Sequence, residues 1–184
     1  MAAEPKERVP NILFLFTDDQ RFDTIRALGN SQIHTPNMDY LVRNGTAFTN
    51  AYIMGGTCGA VCMPSRAMLM TGRTLFHLED LGQNIPEEHT MLPEMFKNGG
   101  YTTFGTGKWH NGTSSYARSF TSGAEIFFGG MDDHWNVPAY RFDPTGRYET
   151  TYPFVWDPSL TNTVQYRHCD HMHLGRHSTE LFVD

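Results

Sequence analysis

Hydrophobic and polar residues follow one another along the first half of the chain in patterns typical of strands. Residues 11–17 form a continuous apolar run, which is typical of a strand buried on both faces of a parallel sheet. Residues 46–53 alternate between apolar and polar side chains and predict a second strand. Residues 101–107 predict a third strand, which leads into Lys108.

Helix signals separate these predicted strands. Pro36 at a first helical position and Gly45 after the last one predict a helix over residues 36–44. A helix-forming run behind Pro64 ends at Gly72 and predicts a second helix that begins near Cys62, and residues 90–98 predict a third. Because strands and helices alternate, we predict an α/β fold with a mainly parallel sheet flanked by helices.

The pattern changes after Gly112. Aromatic residues crowd between residues 120 and 156, and glycines and prolines interrupt any long element. We therefore expect residues 1–112 to form the regular part of one α/β domain. Residues 113–184 are predicted to be a loop-rich continuation of the same domain that covers the site.

Charge and cysteine content limit the possible functions. The formal net charge of -6 argues against nucleic-acid binding, which needs clustered Lys and Arg, but a local site can still attract an anion. Three cysteines are too few for a disulfide framework, and Cys58 is expected to be a small buried side chain. No apolar run is long enough to predict a membrane span, and residues 1–8 lack the apolar core of a signal peptide.

Polar groups that can carry chemistry follow the predicted strands. Asp18 and Asp19 come directly after the first strand, and paired carboxylates suit Ca²⁺ or Mg²⁺, although an isolated Asp-Asp pair is usually a solvated turn. Lys108 and His110 follow the third strand and are predicted to share one face, where they could hold an anion and move a proton. An exposed, unrelated pair is the alternative. Cys62 is expected at a helix N-terminus, a place that favours negative charge.

Three short motifs make a family resemblance specific. The stretch from Cys62 to Arg73 reads C-x-P-S-R followed by T-G-R and resembles the signature of the type I sulfatases. Gly107 to His110 reads G-K-W-H, and residues 35–45 read T-P-N-x-D-x-L-x-x-x-G, both of which are similar to the same family. The alternative for Cys62 is an ordinary buried thiol.

The resemblance implies an alkaline-phosphatase-like fold and a chemical mechanism. It implies that Cys62 is oxidised to formylglycine by a formylglycine-generating or sulfatase-maturing enzyme, and that Asp18, Asp19 and position 62 bind one divalent cation. Arg66 and Lys108 would neutralise a sulfate group, and His110 would accept a proton. Asp133 and His134 fall where many members contact substrate, with a surface loop as the alternative. A periplasmic, secreted or lysosomal location is implied as well.

The resemblance covers about the N-terminal third of a sulfatase, and it implies that residues 1–112 are the N-terminal part of a catalytic domain. Members of the family carry a second pair of metal ligands downstream, and no counterpart is found before Asp184. We therefore expect an incomplete catalytic domain with reduced activity, or none, on its own. The expected function is hydrolysis of a sulfated small molecule or glycan. Alternatives are a phosphomonoester or phosphonate hydrolase of the same superfamily and a non-catalytic module that binds sulfated glycan.

Residues 167–177 hold four of the nine histidines. By spacing alone, Cys169 could bind zinc together with His171 or His173. The resemblance implies no metal there, and a histidine-rich loop that contacts substrate is an equal alternative.

Overall fold

The computed structural model of the chain describes residues 9–56, 61–78, 82–155, 159 and 163–184. Cys58 lies outside these residues. The chain divides into two compact units, Met1–Ala51 and Tyr52–Asp184. Within the described ranges, none of the helices is both long and apolar enough to cross a membrane.

The first unit is built on helix α1, Pro36–Asn44, preceded by two 3₁₀ turns, Phe22–Thr24 and Arg26–Leu28. The helix was predicted from Pro36 and Gly45, and it ends at that glycine. Asp39 is buried within the helix, and its Oδ1 accepts hydrogen bonds of 2.9 Å from the backbone N–H of Ala27 and the hydroxyl of Thr35. These bonds fix α1 against the second turn.

The predicted strands at residues 11–17 and 46–53 are wrong in this structure. Neither segment pairs with another strand among the described residues, and Leu13 and Tyr52 are 82% and 88% exposed. A strand that is apolar on both faces needs a neighbour on each edge and a covering layer on each face, because the run cannot bury itself. The described part of the chain does not provide these neighbours.

The second unit contains the other four helices and all six strands of the described residues. The helices are α2 Cys62–Thr71, α3 Leu92–Asn98, α4 Thr113–Ser119 and α5 Ser178–Val183, with a 3₁₀ turn at Leu75–His77. The strands are β1 Phe104–Lys108, β2 Ser122–Phe127, β3 Pro138–Ala139, β4 Thr151–Phe154, β5 Gln165–His168 and β6 His171–Met172.

Among the described strands, pairing is parallel only between β1 and β2, which α4 connects. The pairs β3–β6 and β4–β5 are antiparallel. The structure thus contains the β-α-β arrangement expected of an α/β protein. In place of the expected larger, mainly parallel sheet it has three two-stranded sheets among its described residues. Every element after Gly112 that the structure describes is seven residues long or shorter.

The register of β1 against β2 has one irregularity. Thr106 lies opposite Ala124, but the next residue, Gly107, lies opposite Ile126. Glu125 is therefore the additional residue of a bulge, and it has a φ of 50°. A bulge bends its strand locally and changes the direction of its side chain.

The core of the second unit centres on aromatic side chains between β1 and α4. Trp109 and Tyr116 are buried and contact each other edge to face, with ring centroids 5.5 Å apart. The hydroxyl of Tyr116 donates a 2.8 Å hydrogen bond to the carbonyl of Gly105. A Cβ at Gly105 would lie 2.6 Å from that hydroxyl, so only glycine leaves room for this bond. Burial raises the pKa of Tyr116 well above its ordinary value, and the phenol stays a neutral donor.

Replacing Tyr116 with alanine is expected to lower the free energy of unfolding by about 3–5 kcal/mol, because it removes a buried ring and leaves the Gly105 carbonyl without its donor. The matched control is Tyr166→Ala, since Tyr166 is 69% exposed and its loss should change the value by about 0.5 kcal/mol or less. Urea denaturation followed by tryptophan fluorescence measures both. Equal effects of the two substitutions would contradict this assignment of the core.

Candidate active site

Cys62 is the first residue of α2, as the sequence predicted. Pro64 is tolerated in the first turn because the backbone N–H groups there have no partner within the helix. The helix ends where Gly72 adopts the left-handed conformation with a φ of 64°. The side chain of Cys62 is half-buried at the helix N-terminus, where the backbone N–H groups and the helix dipole favour a negatively charged group.

Arg66 lies one helical turn after Cys62, so the two side chains project from the same face of α2. The side chain of Arg66 is almost completely buried, and its Nη1 donates a 2.6 Å hydrogen bond to the backbone carbonyl of Lys108. This bond joins α2 to the end of β1. The structure therefore places three of the predicted site residues, Cys62, Arg66 and Lys108, on two elements in direct contact.

Lys108 and His110 lie on either side of a buried tryptophan, and their sharing of one face stays a prediction. Trp109 between them is 5% exposed, and its indole N–H donates a 2.9 Å hydrogen bond to Ser115, whereas Lys108 and His110 are half-buried. His110 adopts a φ of 70°, which is unusual for a residue with a Cβ. A Cβ at Gly130 would lie 2.7 Å from the imidazole of His110, so this glycine leaves room for the ring.

Asn111 is a positioning residue that the sequence reasoning missed. It is fully buried, and its Nδ2 donates hydrogen bonds to the backbone carbonyls of Met63 at 2.9 Å and Gly82 at 2.6 Å. It thereby fixes the segment after β1 against the first turn of α2, next to Cys62. Its position directly after the G-K-W-H motif was the only available signal.

Asp18 and Asp19 belong to the first unit, and Cys62, Arg66, Lys108 and His110 to the second. The two aspartates lie in a bend, both are exposed, and Asp19 has a φ of 51°. Their adjacent carboxylates are hard oxygen donors, and the donor set therefore fits Ca²⁺ or Mg²⁺. The meeting of both groups at one cation stays a prediction.

Asp133 and His134 occupy a turn before β3. Asp133 is exposed and accepts hydrogen bonds from the backbone N–H of Trp135 at 3.0 Å and the side-chain amide of Asn136 at 2.5 Å. The bond from the Trp135 N–H is the main reason that the pKa of Asp133 lies below its ordinary value. His134 lies 2.8 Å from the hydroxyl of Ser178, at the beginning of α5. Contact of either residue with substrate stays a prediction.

Cys169 does not join the neighbouring histidines. Its side chain is fully buried in the core, and burial raises the pKa of the thiol, which favours the neutral form over the thiolate that binds zinc. His171 and His173 lie instead against Glu125, in the one group of three metal-binding side chains found among the described residues. Cys169 is not part of this group, so the pairing with His171 or His173 that spacing alone allowed is not found in the described part of the structure.

The family model for the sulfatases matches residues 10–184. The chain belongs to the sulfatase family. Among its relatives in this family, human N-acetylgalactosamine-6-sulfatase is 29% identical over 190 residues, which cover 90% of this chain and 36% of the human protein. An N-acetylglucosamine-6-O-sulfatase of Bacteroides thetaiotaomicron is 33% identical over 150 residues, which cover 80% of this chain and 23% of the bacterial protein.

A third sulfatase relative, named an ulvan-active sulfatase, comes from Formosa agariphila and is 37% identical over 105 residues, or 55% of this chain and 19% of that protein. The chain thus spans about a third or less of the length of these relatives. No solved structure matches it.

Replacing Asn111 with alanine is expected to lower the free energy of unfolding by about 2–3 kcal/mol, because the Met63 and Gly82 carbonyls lose this donor, the second of them in a buried bond. Asn98→Ala is the control, since Asn98 is exposed at the end of α3 and should change the value by about 0.5 kcal/mol or less. Thermal or urea unfolding measures both variants. An Asn111→Ala variant as stable as its control would show that the side chain does not hold the two segments together.

Proposed function

We propose that the protein is a sulfuric ester hydrolase that uses a formylglycine made from Cys62 together with a divalent cation. Membership of the sulfatase family supports this function. The observation that carries the proposal is the 2.6 Å hydrogen bond from Arg66 to the Lys108 carbonyl, since it joins the helix that begins at Cys62 to the strand end that carries the basic residues.

The N-terminus of α2 suits a sulfate group. The backbone N–H groups of Cys62 and Met63 have no acceptor within the helix and can donate to sulfate oxygens, and the dipole favours the anion. Arg66 and Lys108 add two positive charges to this region, and their effect on a developing negative charge is larger in a half-buried site than in water. Binding and charge neutralisation are thus assigned to α2 and the end of β1.

The groups that react with the sulfate ester would come from modification of Cys62 and from a bound cation. Hydrated formylglycine at position 62 would supply one hydroxyl that attacks sulfur and a second that allows the sulfate to be expelled. Asp18 and Asp19 would hold a cation, Ca²⁺ or Mg²⁺, which supplies Lewis-acid polarisation when bound. His110 is within the same segment as Lys108 and is assigned the removal of a proton from the second hydroxyl.

The substrate is proposed to be a sulfated small molecule or glycan. Two of the relatives are named for sulfated N-acetylhexosamines, and a third for ulvan. A formylglycine-generating or sulfatase-maturing enzyme is the proposed partner during synthesis, with the periplasm, the exterior or the lysosome as the place of action. We propose further that residues 1–112 begin an alkaline-phosphatase-like domain that residues 113–184 continue, and that this chain alone has reduced activity or none.

Conversion of Cys62 is the first test, because it does not require turnover. Production together with a formylglycine-generating enzyme should lower the mass of the Cys62 peptide by the difference between a thiol-bearing CH₂SH and an aldehyde CHO group. Cys62→Ser is the control, because it has no thiol for the formylglycine-generating enzyme to oxidise. A Cys62 that stays a thiol would refute the catalytic proposal and favour a module that only binds sulfated glycan.

His110→Ala is expected to lower the rate of aryl sulfate hydrolysis by the full-length gene product by roughly 10²–10⁴-fold, because the proton acceptor is lost. His168→Ala is the matched control, since His168 is exposed on β5 and should leave the rate unchanged. Release of nitrophenol from an aryl sulfate and an aryl phosphate measures both variants. A preference for the phosphate ester would replace the sulfatase proposal with a phosphomonoesterase.

A further inference from the structure

We propose that Glu125, His171 and His173 form a second metal site, which takes a divalent transition metal, with Zn²⁺ as the ion that fits best. The three side chains come from β2 and from the segment of β6, and none of them takes part in the proposed sulfatase chemistry. Their candidate ligand atoms all lie within 4.8 Å of one another.

Glu125 reaches the histidines because it is the additional residue of the bulge in β2. Its φ of 50° places it in a region that residues with a Cβ rarely adopt. Such conformations persist where the surrounding structure imposes them, and they are frequent at functional sites. Glu125 has no partner in β1, and its carboxylate points toward β6. In a regular strand, residue 125 would have paired with the next residue of β1.

The two histidines are presented on the same side of their segment. His171 is held in β6 by pairing with Ala139 of β3, and His173 follows two residues later. Met172 between them packs against the core. Because side chains alternate along an extended segment, the two imidazoles both project away from the core and toward Glu125.

The distances suit a small coordination sphere. The Nε2 atoms of His171 and His173 lie 2.8 and 3.4 Å from Oε2 of Glu125. In a tetrahedral zinc site with bonds of about 2.1 Å, neighbouring ligand atoms lie about 3.4 Å apart. The longer distance already matches this value, and a small outward movement of His171 would bring the shorter one to it.

Two ring nitrogens of this group lack the partner that buried polar atoms normally have. Nδ1 of His171 and Nε2 of His173 are buried and make no hydrogen bond within the described part of the chain. Coordination would satisfy the His173 nitrogen directly, since a neutral imidazole offers its lone pair to a metal. The side chains of the group are between 17% and 40% exposed, so an ion can reach them from solvent.

The donor set selects the class of metal. Two imidazoles and one carboxylate are typical of zinc and other first-row transition metals, whereas Ca²⁺ and Mg²⁺ prefer oxygen ligands alone. The site therefore differs in chemistry from the proposed Asp18 and Asp19 site. Three protein ligands would leave a position for water or for an oxygen or nitrogen group of a ligand.

The test is direct titration of the intact chain with Zn²⁺ in competition with a chromophoric chelator. The wild-type protein should bind Zn²⁺ at this site, and His173→Ala and Glu125→Gln should each weaken the dissociation constant by at least about tenfold. His168→Ala is the matched control, because it removes a histidine from the same stretch without touching the group. Asp18→Asn controls for binding at the other carboxylate pair. Both controls should keep the wild-type dissociation constant.

Titration with Co²⁺ identifies the ligands independently of activity. Visible absorption without a thiolate-to-metal charge-transfer band is expected, since Cys169 is not part of the group. A charge-transfer band would overturn the assignment in favour of a site with a cysteine ligand. A dissociation constant that His173→Ala and Glu125→Gln leave unchanged, or the absence of stoichiometric Zn²⁺ binding by the wild type, would overturn the site itself. None of these outcomes depends on sulfate ester hydrolysis, so the two proposals succeed or fail separately.

Discussion

The arrangement of the candidate active site depends on buried side chains that donate hydrogen bonds to backbone carbonyls of distant segments. Arg66 reaches from α2 to the Lys108 carbonyl, and Asn111 reaches back to the carbonyl of Met63. A buried carbonyl without a donor is costly, so each bond fixes the distance between its two segments more strictly than apolar packing would. An arginine used in this way has two roles, because its charge remains near Cys62 while part of its hydrogen-bonding capacity holds the scaffold.

Local signals in the sequence were sufficient for α1 and α2, whereas α4 was not predicted. Pro36, Gly45 and Gly72 mark helix ends through backbone geometry that each residue carries with it, and α1 and α2 have the predicted bounds. The strand predicted at residues 101–107 is present as β1, Phe104–Lys108. These features depend on neighbours in the sequence, so a pattern along the chain contains the information that determines them.

Features that depend on distant partners could not be predicted in the same way. The apolar run at residues 11–17 indicates a segment suited to burial, but burial depends on covering layers that the described residues do not supply. The hydrogen bond from Asn111 to the Met63 carbonyl also joins segments that are distant in the sequence, and so does the contact of Glu125 with His171. Spacing in the sequence also allowed Cys169 as a zinc ligand, but the side chain of Cys169 is buried in the core.

The bulge in β2 couples the core to the proposed metal site. Side chains on a strand change face at every residue, so the one additional residue at Glu125 decides which way Ile126 and everything after it points. Ile126 is completely buried, and deleting Glu125 would shift it and Phe127 by one position and invert their facing. The burial of Ile126 therefore constrains the length of the strand at this point, whereas the proposed metal site constrains the identity of the side chain at position 125.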